Sequence, residues 1–115
     1  MLVILTFGIV ENINMKIALD YDQTFDQDKE FWAKVVNLAK EHGHIVTIVT
    51  GRVNSDFGNE DILSDAKNMG IDVVFCSQIP KSEKFTADVW IDDSPLNIIS
   101  TETMKAMIAL DKFAK

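Results

Sequence analysis

With 115 residues, 47% of them apolar and 25% charged, the chain has room for one hydrophobic core and is too apolar to be a disordered segment. A formal net charge of -7 excludes the broad basic surface needed to wrap duplex nucleic acid or to dock on an anionic membrane. It leaves a phosphorylated substrate open, because a local cluster with a bound metal outweighs the global field.

Residues 1–10, MLVILTFGIV, are apolar but too short to span a bilayer, and they lack the basic start and small-residue cleavage site of a signal peptide. Two readings stand for residues 1–14: an extra strand on the domain, or a leader before a start at Met15. From Met15 the pattern is regular. MKIALDYD is an apolar run ending in acids, as expected of a buried strand whose carboxyl end meets solvent. Residues 28–43 place Phe31, Trp32, Val35, Val36, Leu38 and Ala39 at helical spacing, with Asp28 as a cap and Gly43 as a stop. HIVTIVT (44–50) is a second strand, ending at Thr50-Gly51-Arg52. A second helix is expected over about 56–69, with Phe57, Ile62, Leu63, Ala66 and Met69 inward and Gly70 as its stop. IDVVFC (71–76) and ADVWID (87–92) are further strands, and an amphipathic helix is expected over about 101–114. Near-continuous apolar strands alternating with helices predict an α/β fold: a Rossmann-like three-layer α/β/α domain over residues 15–115 with a central parallel sheet.

In such a sheet the ligand crevice lies beyond the carboxyl ends of the strands. That rule selects Asp20 to Thr24, Thr50 to Arg52, Cys76 to Lys84, and Asp92-Asp93. Asp20 and Asp22 are separated by one residue and project to one side. Four carboxylates in one crevice repel unless a cation intervenes, and oxygen ligands without a His or Cys cluster specify magnesium rather than zinc. His42 and His44 flank a turn without ligand spacing. Cys76 reads as a small core residue; as the single cysteine it can form no intramolecular disulfide, which makes a cytoplasmic setting the default.

Asp20-x-Asp22-x-Thr24, then Thr50 ending a strand, then a lysine, then Asp92-Asp93, resembles the haloacid dehalogenase superfamily of phosphohydrolases. The resemblance covers roughly residues 15–100. It implies that Asp20 is the nucleophile, forming an aspartyl-phosphate, and also a metal ligand. Asp22 would be the general acid/base, its carbonyl a ligand of the magnesium ion, and Thr50 would bond the transferring phosphoryl group. Asp93 would bind the metal directly, with Asp92 in support. Either Lys81 or Lys84 would neutralise the nucleophile, and proximity to the last strand favours Lys84 as the catalytic lysine. Thr24, Gly51, Arg52 and Lys81 are then candidates for binding substrate. One position departs from the family: Gln23 stands where glycine is usual.

Members that act on small metabolites often carry a cap domain, and the connections here are too short for one. An uncapped site suits a substrate that closes it, such as a nucleic-acid end or a phosphoprotein, or a nucleotide or sugar phosphate with a second copy of the chain as lid. A different class of function, a receiver-like or non-catalytic module binding phosphate or metal, is the alternative. Receivers, however, phosphorylate an Asp after the third strand, where this chain has Cys76-Ser77.

Overall fold

The computed structural model describes residues 3–6, 14–100, 102–103 and 105–106, and for 3–6 the backbone alone. Four parallel strands form the sheet: β2 (Lys16–Leu19), β3 (Ile45–Thr50), β4 (Asp72–Phe75) and β5 (Val89–Asp92). Residues 3–6 add an antiparallel edge strand, β1 (Val3–Thr6), in register Val3 with Asp92, so the sheet order is β1-β5-β2-β3-β4. The chain steps outward from β2 through β3 to β4, then returns to lay β5 on the other side of β2. The direction therefore reverses between β2 and β5, and a crevice opens at their carboxyl ends.

Alternation along the strands feeds both faces of the sheet. Leu19, Val46 and Ile48 face one way, where α1 (Lys29–Glu41) and α2 (Glu60–Met69) cover them with Val36, Ile62, Ala66 and Met69. Ala18, Val49 and Trp90 face the other way, packed with Cys76, Ala87 and Ile98. The expected helix over 101–114 lies almost wholly outside the described residues, so the third layer is described only through α3 (Lys81–Lys84) and the segment after β5. Among the described residues there is no cap domain, and no helix is long and apolar enough to cross a membrane.

The helices differ from expectation in two ways. In α1 the buried stripe is Trp32, Val36 and Ala39, while Phe31 and Leu38, a heptad apart on the next face, are 52% and 57% exposed. Helix α2 begins at Glu60, not near 56, because Gly58 has φ +84 and cannot continue a helix. Phe57, expected inward, lies before that break and is exposed, as is Leu63. Asn59 closes the loop instead, donating its amide to the carbonyls of Val53 and Ser55.

Gly70 ends α2 as expected, at φ +67, with its N–H on the Lys67 carbonyl. Lys40 reaches across from α1 to the Met69 carbonyl at 2.6 Å, and a Cβ on Gly70 would lie 3.1 Å from that ammonium. Gly70→Ala is expected to lower the unfolding free energy by about 1 kcal/mol, seen as a lower urea midpoint at unchanged slope.

Candidate functional site

Asp20 follows β2 directly, and its N–H donates to the Ile91 carbonyl at 2.9 Å, which extends the β2–β5 ladder to the carboxyl edge of the sheet. Asp92 ends β5. Between their carboxylates sits the ammonium of Lys81, 2.7 Å from Asp20 Oδ1 and 2.6 Å from Asp92 Oδ2, with all three side chains buried. The Thr24 hydroxyl donates to Asp20 Oδ2 at 3.2 Å, and Ser94 N–H donates to Asp92 Oδ1 at 2.9 Å. Asp93 is half-buried in the pocket wall, and one oxygen each of Asp20, Asp92 and Asp93 lie within 4.8 Å of one another.

This donor set fits a hard divalent cation. Three carboxylates against one ammonium leave a charge of -2 at the cluster. Each carboxylate oxygen has more than one lone pair, so the bonds to Lys81 do not exhaust Asp20 or Asp92. Without an ion, burial pushes the Asp20 carboxyl up to about 7, against the pull of Lys81 and with the Asp92 charge adding to the rise. Burial works against the Lys81 ammonium too, yet the two carboxylates overcome it and hold its proton more tightly than usual.

Of the two lysines, Lys84, the one expected at the site, is exposed on α3, and Lys81 stands between the carboxylates instead. The reason is the crossover. A chain leaving β4 starts at the carboxyl edge and must travel to the amino edge before β5 begins. Lys81 opens α3 at the carboxyl edge, pinned there by the bond from Ser82 N–H to the Ile98 carbonyl. By Asp88 the chain has reached Lys16, at the start of β2. Nearness in sequence to β5 therefore means distance from the site, a rule the parallel topology itself supplies.

Thr24, expected to touch substrate, is instead 2% exposed and steadies the nucleophile candidate Asp20. Thr50 ends β3, buried, with its Oγ1 accepting the Arg52 N–H at 3.2 Å. Gly51, Arg52, Lys81, Asp20, Asp22 and Asp93 all line one pocket of about 430 Å³. Gln23, at the position where the resembling family has glycine, has φ +65, the left-handed conformation that glycine adopts freely. Its N–H on Asp26 Oδ1, at 2.8 Å, holds the turn.

Asp22 lies outside the three-carboxylate cluster. Both its oxygens are taken by Arg52, at 2.9 Å from Nε and 2.7 Å from Nη2. The same guanidinium bonds both oxygens of Asp61, from the first turn of α2, and stands 5.2 Å from the centre of the Tyr21 ring. Arg52 holds the Asp61 carboxyl down at about 2, and the two acids push the guanidinium up. Tyr21 donates its hydroxyl to Asp65, which also pairs with Lys29 at 2.9 Å, and burial with that bond raises the phenol to about 12. Asp61, Asp65 and Tyr21 were not among the expected site residues. The available signal was the four-residue spacing of the two acids on one face of α2.

The chain matches no protein-family model, no curated protein and no solved structure.

Proposed function

We propose that this chain is a magnesium-dependent phosphohydrolase of the haloacid dehalogenase type, in which Asp20 attacks a phosphomonoester and carries the phosphoryl group. The observation that carries the reading is the Asp20–Lys81–Asp92 bridge, of which Asp20 and Lys81 line the pocket. A buried ion triad is a poor way to stabilise a fold, since apolar residues of similar volume serve as well or better. Charged groups gathered at the point where the sheet reverses direction are accounted for by chemistry. The order of the elements along the chain adds support.

In the first step an Asp20 oxygen bonds to phosphorus as the ester P–O bond breaks, and Asp22, once released from its two bonds to Arg52 and protonated, gives its proton to the leaving alkoxide. In the second, Asp22 takes a proton from water, whose oxygen displaces Asp20 from phosphorus and releases phosphate. Lys81 offsets the charge that would otherwise repel an anionic substrate, and Thr24 fixes the carboxylate plane. The resemblance gives Thr50 a bond to the phosphoryl group, but Thr50 is 1% exposed and does not line the pocket. Asp20, Asp92 and Asp93, with the Asp22 carbonyl, would hold magnesium, which when bound neutralises phosphoryl oxygens. Arg52 anchors Asp22 at the pocket rim.

The test is phosphate release, with and without magnesium, from nitrophenyl phosphate, nucleotides, sugar phosphates, phosphopeptides and phosphorylated oligonucleotide ends. Release that requires magnesium and is lost in Asp93→Ala is expected. No release from any substrate would point to a binding module without turnover.

Asp20 also couples the metal to pH. Between about 4 and about 7 the metal-free native protein holds a proton on Asp20 that the unfolded chain has released, so its stability falls as pH rises across that window. Magnesium needs the carboxylate, so its stabilising effect grows over the same window. Thermal melts are expected to show a small magnesium-induced rise in Tm at about pH 5 and a large one at about pH 8. Equal shifts at both would remove Asp20 from the ligand set.

A further inference from the structure

We propose that this pocket selects a phosphomonoester whose alcohol is an uncharged, hydrogen-bonding organic group, read by the side-chain amides of Gln23, Gln78 and Asn97. The inference rests on the phosphohydrolase reading and narrows it to a substrate class. At about 430 Å³ the pocket exceeds what a phosphoryl group fills and falls in the range of small-molecule sites, roughly 300–1,000 Å³.

Five of its lining residues are charged. Asp20, Asp22, Asp93, Lys81 and Arg52 are the charged side chains in the lining, and both cations are already engaged by carboxylates. A second phosphate on the substrate would find no uncommitted cation among the described residues and would face the acids. The rest of the lining is neutral. Ile79 and Leu96, both exposed, offer an apolar flank, and Gln23, Gln78 and Asn97 offer amides that both donate and accept.

These three amides come from three different loops, after β2, β4 and β5, and converge on one cavity. The hydrogen bonds of the three residues run through their backbone: Gln23 N–H to Asp26 Oδ1, Gln78 N–H to the Gly51 carbonyl, and Asn97 N–H to the Ser94 carbonyl. Among the described residues their side chains have no partner within the fold. Gln23 and Gln78 are, moreover, both held at left-handed φ, +65 and +68, where glycine would sit without strain. All three are exposed, and amides that line one cavity without a bond inside the fold are what a polar ligand would engage.

The test compares kcat/KM on glucose 6-phosphate, glucose 1,6-bisphosphate, a nucleoside 5′-monophosphate and acetyl phosphate, the last without a hydroxyl for the amides to read. Gln23→Gly and Gln78→Gly remove the amides while relieving the backbone, and Asn97→Ala completes the set. The wild-type protein is expected to favour the monoesters over the bisphosphate by about tenfold or more. The variants are expected to lose about tenfold on the monoesters, mainly through KM, and to stay within about twofold on acetyl phosphate. A bisphosphate cleaved as well as the monophosphate, or equal losses on acetyl phosphate and the monoesters, would overturn the inference. No release of phosphate from any of the four substrates by the wild-type protein would overturn the phosphohydrolase reading, and this inference with it.

Discussion

Asp20→Asn is expected to reduce phosphate release by at least about 10³-fold while leaving the fold intact. The amide keeps the volume of the carboxyl and an oxygen for the Lys81 ammonium, its NH2 can donate to the Thr24 hydroxyl, and the backbone bond from residue 20 to Ile91 is untouched. It removes the attacking oxygen and lowers the charge of the cluster from -2 to -1, so magnesium should bind more weakly as well. Burial already holds the Asp20 carboxyl up to about 7, so near neutral pH the metal-free protein behaves in part as if that group were uncharged. Asparagine is therefore expected to leave the metal-free Tm unchanged or to raise it. Phosphate release and a circular-dichroism melt on the same preparation separate loss of chemistry from loss of structure. Turnover surviving the substitution would place the nucleophile elsewhere.

The second large effect is on stability. Lys81→Met leaves two buried carboxylates facing each other without their shared cation, and is expected to cost about 3–5 kcal/mol. Lys84→Met, on the exposed side of α3, is expected to stay within about 0.5 kcal/mol of wild type. The pair of substitutions therefore decides which lysine the site uses. Adding Asp20→Asn to Lys81→Met should recover part of the loss, because one of the two opposed charges is gone. The deficit of the single variant should also shrink as the pH is lowered, for the same reason. Additive losses in the double variant would mean that the bridge is incidental.

The features legible in the sequence are those set by local pattern. Apolar runs located the four parallel strands, and the acids at their ends located Asp20, Asp92 and the crevice, because a buried strand must stop where charge begins. The cap of α1 at Asp28, bonded to Phe31 N–H, and the left-handed stop at Gly70 were equally local. What was not legible depends on where the chain travels between elements. The choice of Lys84 over Lys81 followed sequence distance, whereas the crossover from β4 to β5 inverts that order. The spacing of Phe57 suits a helix, but Gly58 at φ +84 delays the start of α2 to Glu60. The bonds from Arg52 to Asp22 and Asp61 join the loops after β2 and β3 to the start of α2, and no single window of sequence contains them. Thr24 belongs to a recognisable motif, yet its burial against Asp20 follows from the turn that Gln23 makes at positive φ.

The most direct test of the central claim is to trap the phosphoryl group. The protein would be exposed briefly to acetyl phosphate with magnesium, quenched in acid, digested, and read by mass spectrometry. One phosphoryl group on Asp20, absent without magnesium and absent in Asp20→Asn, is the predicted result. Continued phosphate release with the label on another residue, or with no covalent label under conditions of full turnover, would contradict it.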